Sequence, residues 1–321
     1  SYLEHVQSSL QDPPSNYHPP ATLIVPVKGL EHDLSRNLLT LAEQDYPDYE
    51  LIVVSRSESD PGLRSAQTVL GERARVVIAG PPPDGQGEKV HNLLVAVDEA
   101  RASSEVFVFA DSDGQVASSW LRALVAPLED RSLGATTGFR WHFPEDGGCW
   151  PLLRSVWNST VAGNMSSNDK NFAWGGATGI RREVFDRAEI RKFWQGAVSD
   201  DYRLSSALNA SKLGIRFVPG GMVAGTGACS GREFLQWATR QLIITRVYRR
   251  GMWWAGFLSH IVYCGAMLVS LLTLLAGNPL GLAGLVVTII PGMGKGAMRG
   301  YAARLMFLDR EDWLDRFGWA Y

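Results

Sequence analysis

From Met252 to Ala276 the chain carries no Asp, Glu, Lys or Arg, in a run of 25 residues dominated by aliphatic and aromatic side chains. As a helix this run spans ~37 Å at about 1.5 Å per residue, longer than the ~30 Å hydrocarbon core of a bilayer. A second apolar run, Pro279–Met293, is shorter and is interrupted by Gly and Pro. It is expected either to complete a helical hairpin after the Gly277–Asn278–Pro279 turn or to lie re-entrant. The plainer reading of both runs is a buried core helix; length favours a membrane for the first and leaves the second open. Arg240, Arg246, Arg249 and Arg250 precede the first run, and Trp253 and Trp254 stand at its edge. Basic residues stay cytoplasmic and Trp favours the interface, so residues 1–250 are expected to face the cytoplasm.

Residues 1–250 hold nearly all the charge, and their apolar segments alternate in type. Thr22–Val27, Glu50–Ser55, Arg75–Ala79 and Glu105–Ala110 are short β-branched or aromatic runs that read as strands. Asp33–Gln44, Pro61–Leu70 and Lys89–Arg101 separate them with helical spacing of Leu and Val. This alternation predicts an α/β fold with a mostly parallel sheet covered on both faces. Ligands in such sheets bind beyond the carboxyl ends of the strands. No GxGxxG follows the first strand and no GxxxxGK[ST] occurs, so nicotinamide, flavin and P-loop nucleotide sites lack support. Basic and acidic residues number 31 and 33, for a net charge of −2, which argues against a nucleic-acid partner held by bulk charge. Cys149, Cys229 and Cys264 are widely separated and odd in number, so reduced thiols are expected rather than a zinc site or disulfide framework.

Acidic residues gather where the strands end. Asp111-Ser112-Asp113 follows the fourth strand directly. Two carboxylates so spaced on a turn suit one Mg²⁺ or Mn²⁺, hard cations that take carboxylate and phosphate oxygens together. An ordinary Asp-rich turn is the competing explanation. Asp60, after the second strand, lies at the same edge, in a segment that also reads as a solvated turn. Asp200 and Asp201 precede a helical run, Tyr202–Leu213; one could cap the helix and the other act as a base beside a metal-bound phosphate leaving group. Trp174–Gly179 (WGGATG) would let backbone approach a ligand closely, or would simply turn. Lys89, at a helix start after the Gly80–Gly87 loop, could reach a phosphate or remain solvated.

The ordered set VPVKG (Val25–Gly29), DYPDYELIVV (Asp45–Val54), SDPG (Ser59–Gly62), GEKVHNL (Gly87–Leu93), DSD, GATGIRREVFD (Gly176–Asp186) and SDDY (Ser199–Tyr202) resembles glycosyltransferase family 2 enzymes of the GT-A fold, in particular the ceramide glucosyltransferase-like branch. The resemblance covers roughly residues 20–275. It implies a Rossmann-like nucleotide-sugar-binding sheet with interfacial and C-terminal transmembrane helices. It also implies a UDP-sugar donor, a divalent metal, a lipid acceptor met at the membrane and inverting chemistry. By position, Asp60 matches the first family aspartate near the nucleotide, and Asp111 and Asp113 match the metal-binding pair. Asp201 matches the base that deprotonates the acceptor hydroxyl, and Pro26 and Lys28 match the loop that contacts the nucleotide. The family Q/RxxRW motif falls on Gln236–Gln241 with a departure: Arg240 keeps the Arg, but Trp237 and Gln241 stand in the outer places. Gln236, Arg240 and Gln241 are nonetheless expected at the donor pyrophosphate.

The organisation expected is a polar segment (1–20), a catalytic domain (21–230), an interfacial helix (231–251), a hairpin or helix plus re-entrant segment (252–295) and an amphipathic C-terminal segment (296–321). Ser1 in place of Met, and the lack of the family's usual N-terminal membrane helix, point to a trimmed chain. With 25 Arg against 6 Lys, a GC-rich bacterial source and an inner-membrane location are expected. Glucose and ceramide are the expected sugar and lipid. The alternatives are a hopanoid, diacylglycerol or polyprenyl-phosphate acceptor, or a non-catalytic nucleotide-sugar-binding scaffold. A processive polysaccharide synthase fits less well, with too few membrane helices for a pore.

Overall fold

The computed structural model describes residues 2–12, 15–165 and 169–321. Ser1, Pro13, Pro14 and residues 166–168 lie outside the described residues, and with them part of the expected polar segment. The chain forms two compact units, Ser1–Ala228 and Cys229–Tyr321.

The first unit opens with α1 (Tyr2–Gln11), β1 (Ala21–Pro26), α2 (Leu34–Ala42), β2 (Tyr49–Ser55), α3 (Pro61–Leu70) and β3 (Arg75–Ile78). It continues through α4 (Glu88–Glu99), β4 (Val106–Ala110), α5 (Trp120–Val125), β5 (Leu133–Thr137), β6 (Arg140–His142) and α6 (Cys149–Ala162). β7 (Ala177–Arg181), α7 (Arg182–Arg187), α8 (Ile190–Trp194), α9 (Asp200–Ala210), β8 (Gly214–Phe217) and β9 (Val223–Gly225) complete it. Seven strands form one sheet in the order β3-β2-β1-β4-β7-β5-β8, and β6 pairs with β9 in a second, two-stranded sheet.

The strand residues alternate between two apolar layers, as a pleat of period two requires. Leu23, Val25, Val53 and Val108 pack with α2, α3 and α5 on one face. Ile24, Ile52, Phe107 and Phe109 pack with α4, α7, α8 and α9 on the other. Both faces are therefore dry, which is why the strands read as continuous apolar runs. The expected mostly parallel sheet is present. β7 alone runs against its neighbours β4 and β5. That reversal matters, because it sets Ala177 beside Ala110 and brings the Gly175–Gly176 loop to the carboxyl edge of β4.

The second unit contains α10 (Gly231–Tyr248), α11 (Arg250–Leu275), α12 (Leu280–Met306) and α13 (Glu311–Phe317). A capping box between Ser230 and Glu233 starts α10. α11 and α12 are long and apolar enough to cross a membrane. No residue of α11 is buried, which is not how a core helix packs. The two helices form an antiparallel hairpin. Small residues close it: a Cβ on Gly284 would lie 2.2 Å from Ser270 Oγ, and one on Gly281 would lie 2.5 Å from Ser270 O. Pro291 sits inside α12, and the Tyr263 hydroxyl donates to the nearby Thr288 carbonyl at 3.1 Å. The helix thus runs past Met293, and across the expected 295/296 boundary, to Met306.

Candidate active site

At the carboxyl edge of the large sheet, β4 delivers Asp111 and Asp113 into a cluster of charge. Lys89 Nζ, near the start of α4, lies 2.8 Å from Asp111 Oδ1 and 3.2 Å from Asp200 Oδ2. Backbone geometry forces this meeting. Gly87 N–H donates to the Ala197 carbonyl at 2.8 Å, and a Cβ on Gly87 would lie 2.9 Å from Val198 Cα, so α4 starts directly against the segment that leads into α9. Burial opposes the Lys89 charge, but the carboxylates of Asp111 and Asp200 outweigh it and raise the pKa above the ordinary lysine value.

The glycines of the WGGATG loop are spatial requirements. A Cβ on Gly175 would stand 2.0 Å from Asp200 Oδ2 and 3.0 Å from Lys89 Nζ. One on Gly176 would stand 2.4 Å from the Trp174 ring and 2.6 Å from Asp111 Oδ2. Neither residue has positive φ. Their smallness, rather than a turn conformation, is what the site uses.

Ser199 is the N-cap of α9, accepting from Tyr202 N–H at 3.2 Å. The expectation that one aspartate caps this helix is thereby corrected: a hydroxyl at N-cap satisfies the orphan donor, and both aspartates sit in the first turn. Asp201 Oδ1 accepts from the Tyr202 N–H at 2.7 Å and from the Ser199 hydroxyl. Burial and the Asp200 charge push the Asp201 carboxyl up to about 6.

Two residues at this edge escaped the sequence reading. Arg140, on β6, pairs with both Asp113 and Asp111 and lies 5.1 Å over the Trp174 ring. Burial works against the Asp113 charge, but Arg140 outweighs it and holds that carboxyl below the usual range. Glu31, in the loop after β1, accepts from the Ser112 hydroxyl at 2.5 Å. Burial, with the Asp113 and Asp111 charges, pushes Glu31 up to about 7 against that hydrogen bond. Arg140 is a lone charge in Gly138–Phe143, a segment otherwise apolar but for His142, and this is the signal that could have singled it out.

The other expected residues fall in three places. Asp60 caps α3, accepting from Gly62 N–H at 2.8 Å, and also accepts from Gly29 N–H at 2.9 Å. It ties the loop after β1 to α3, and a Cβ on Gly62 would lie 2.1 Å from the Gly29 carbonyl oxygen. Pro26 ends β1, while Lys28 is exposed and pairs with Glu88 at 3.3 Å, as Arg56 does at 3.5 Å. Gln236, Arg240 and Gln241 lie on α10 in the second unit. Gln236 and Arg240 share a concave face of 710 Å³ with Arg232, Leu235, Ile243 and Ile244, whereas Gln241 is not part of that lining. One turn separates Gln236 from Arg240, and a fifth residue steps off that face.

Among the described residues no group of three or more His, Cys, Asp and Glu side chains is arranged around a metal position. A Mg²⁺ or Mn²⁺ ion does not need one, since it is commonly held by one or two carboxylates plus substrate phosphates and water. Asp111 and Asp113 supply such oxygens, and their side chains keep 25% and 41% of their surface open. Side-chain cations hold these oxygens, a type of partner that an ion can displace. The donor set fits a hard divalent cation.

A model of glycosyl transferase family 21 matches residues 2–314. A curated ceramide glucosyltransferase from Komagataella phaffii (strain GS115 / ATCC 20864) is 30% identical over 119 residues, which is 35% of this chain and 23% of that enzyme's length. Among solved structures, the mannosyltransferase PcManGT from Pyrobaculum calidifontis, in complex with GDP-Man and Mn²⁺, superposes with a TM-score of 0.50 at 18% identity, over 99% of this chain and 91% of that one. GalNAc-T7, with UDP, GalNAc and Mn²⁺, gives a TM-score of 0.50 at 14% identity, over 67% of this chain and 45% of that one. The fold resembles that of GT-A glycosyltransferases, as the sequence led us to expect.

Proposed function

The chain belongs to glycosyl transferase family 21, and from that premise we propose that it moves a hexose, glucose in our reading, from a UDP-sugar to the hydroxyl of a lipid such as ceramide, with inversion at the anomeric carbon. The observation that carries this reading is the convergence of Asp111, Asp113, Lys89 and Asp200–Asp201 at one sheet edge. Proteins of this fold place their ligands at such an edge.

The donor diphosphate would lie over Asp111 and Asp113, which would hold a divalent ion. When bound, that ion supplies positive charge to the departing diphosphate. Lys89 fixes the spacing between the Asp111 carboxylate and Asp200. Asp201, raised to about 6, is largely ionised near neutral pH yet basic enough to take the acceptor proton. Asp200 supplies part of that elevation. The hydroxyl oxygen then attacks the anomeric carbon opposite the diphosphate, the glycosidic bond forms as the carbon–phosphate oxygen bond breaks, and the proton ends on Asp201. Asp60, Pro26 and Lys28 would shape the nucleotide end. The apolar face of α10 and the α11–α12 hairpin would place the enzyme in a membrane, with the catalytic unit on the cytoplasmic side.

The product's stereochemistry tests the mechanism. Membranes containing the protein, given UDP-glucose and ceramide, should yield a β-linked glucosyl lipid by NMR, and an α-linked product would contradict the single displacement. The glycine geometry yields a second expectation. Gly175→Ala forces Asp200 away from Lys89 and should lower turnover about 10²-fold with an unchanged circular dichroism spectrum, the scale expected for misplacement by about 1 Å. Near-normal turnover would mean that the Lys89–Asp200 contact is dispensable.

A further inference from the structure

We propose that Arg140 is a gate on the metal position: its guanidinium competes with a divalent cation for Asp111 and Asp113 and must leave before the ion can bind. The inference rests on reading these aspartates as the metal ligands. All four carboxylate oxygens of the pair accept hydrogen bonds from side-chain cations. Lys89 takes Asp111 Oδ1 at 2.8 Å, Arg140 takes Asp111 Oδ2 at 3.2 Å, and both Asp113 oxygens go to Arg140, Oδ2 at 2.5 Å. A magnesium-sized ion needs ligand oxygens at about 2.0–2.1 Å and cannot share these positions with a bidentate guanidinium.

Other features of Arg140 suit a group that moves. Only its main chain is fixed by the small sheet, where Arg140 pairs with Val223 and its carbonyl accepts from Asn158 Nδ2 at 2.7 Å. The guanidinium lies on the flat face of Trp174, a surface along which a planar cation can slide without losing all its attraction. Its Nε is buried without a hydrogen-bond partner among the described residues. An arginine committed permanently to this position would leave that donor unmet, which is costly, and a second position can satisfy it.

The gate predicts a dependence of metal affinity on Arg140 that needs no turnover to read. Mn²⁺ would be titrated into the full-length, detergent-solubilised protein, with free Mn²⁺ followed by electron paramagnetic resonance, with and without UDP. Without UDP, Arg140→Gln should bind Mn²⁺ at least about tenfold more tightly than wild type, the scale of one lost bidentate charge-assisted pair. Arg140→Lys keeps the charge but loses the fork, and should bind several-fold more tightly; it carries the test if the Gln variant does not fold. UDP should tighten Mn²⁺ binding more in wild type than in Arg140→Gln, because only wild type has a gate to open. Unchanged or weaker Mn²⁺ affinity in both variants, with Asp113→Asn abolishing binding, would overturn the gate and leave the metal ligands standing. No Mn²⁺ binding by any form, with or without UDP, would overturn both.

Discussion

Asp201→Asn should lower turnover by about 10³-fold, within the range that a positioned general base contributes, while the protein remains folded and binds the donor sugar nucleotide. The wild-type pH profile should share this origin. Burial and the Asp200 charge raise the Asp201 carboxyl to about 6, and the base works only when ionised, so turnover should rise with pH through about 6 and then level. Asp200→Asn removes the second of these causes and should shift that acid limb to lower pH.

Stability should run in the opposite direction. The folded-state pKa of Asp201 is raised above the ordinary value of 3.8, so the fold favours the protonated form. This contribution is fully present below about pH 4 and is lost as pH rises through about 6. At neutral pH the ionised carboxyl therefore destabilises the first unit. The Asn variant should melt about 2–4 °C higher at pH 7, the shift expected for roughly 1 kcal/mol in a unit of this size. A variant that loses activity and also melts lower at pH 7 would mean that Asp201 serves the fold rather than the chemistry.

The second large effect belongs to Asp111. Asp111→Ala removes one of two candidate metal ligands and the nearer carboxylate partner of Lys89. Turnover should fall about 10³-fold or more, and stimulation by Mn²⁺ or Mg²⁺ should disappear, since charge neutralisation at the leaving group is worth several kcal/mol. A non-catalytic scaffold would behave otherwise, keeping its partner and showing no turnover to lose. Metal-stimulated turnover that survives Asp111→Ala would remove this carboxylate from the chemistry.

These sites were unequally visible in the sequence. The strands β1 to β4 and the helices between them lie within one or two residues of their expected ends, because β1, β2 and β4 are buried on both faces, the edge strand β3 is a short β-branched run, and each helix keeps one apolar stripe. Asp111 and Asp113 were legible because they follow such a strand directly. The likeness to ceramide glucosyltransferases was also legible, although the matching model is that of family 21 rather than family 2. Arg140 was not. It reaches Asp113 from a three-residue strand, β6, too short to show any periodicity, and its pairing with β9 spans more than 80 residues. Glu31 lies in a loop whose position depends on Asn37, which donates to the Ser112 carbonyl at 3.0 Å. A local pattern can flag a lone charge such as Arg140, but it does not show which distant carboxylate that charge meets. On α10, the resemblance to the family motif grouped Gln241 with Gln236 and Arg240, and in the helix Gln236 and Arg240 share a concave face whose lining does not include Gln241.

UDP release from UDP-glucose by the purified, detergent-solubilised protein tests the central claim most directly, measured with and without ceramide and with and without Mn²⁺ or Mg²⁺. The account predicts metal-dependent release that ceramide stimulates and that Asp201→Asn abolishes. Release that ignores both the lipid and the metal, or that persists undiminished in Asp201→Asn, would contradict it.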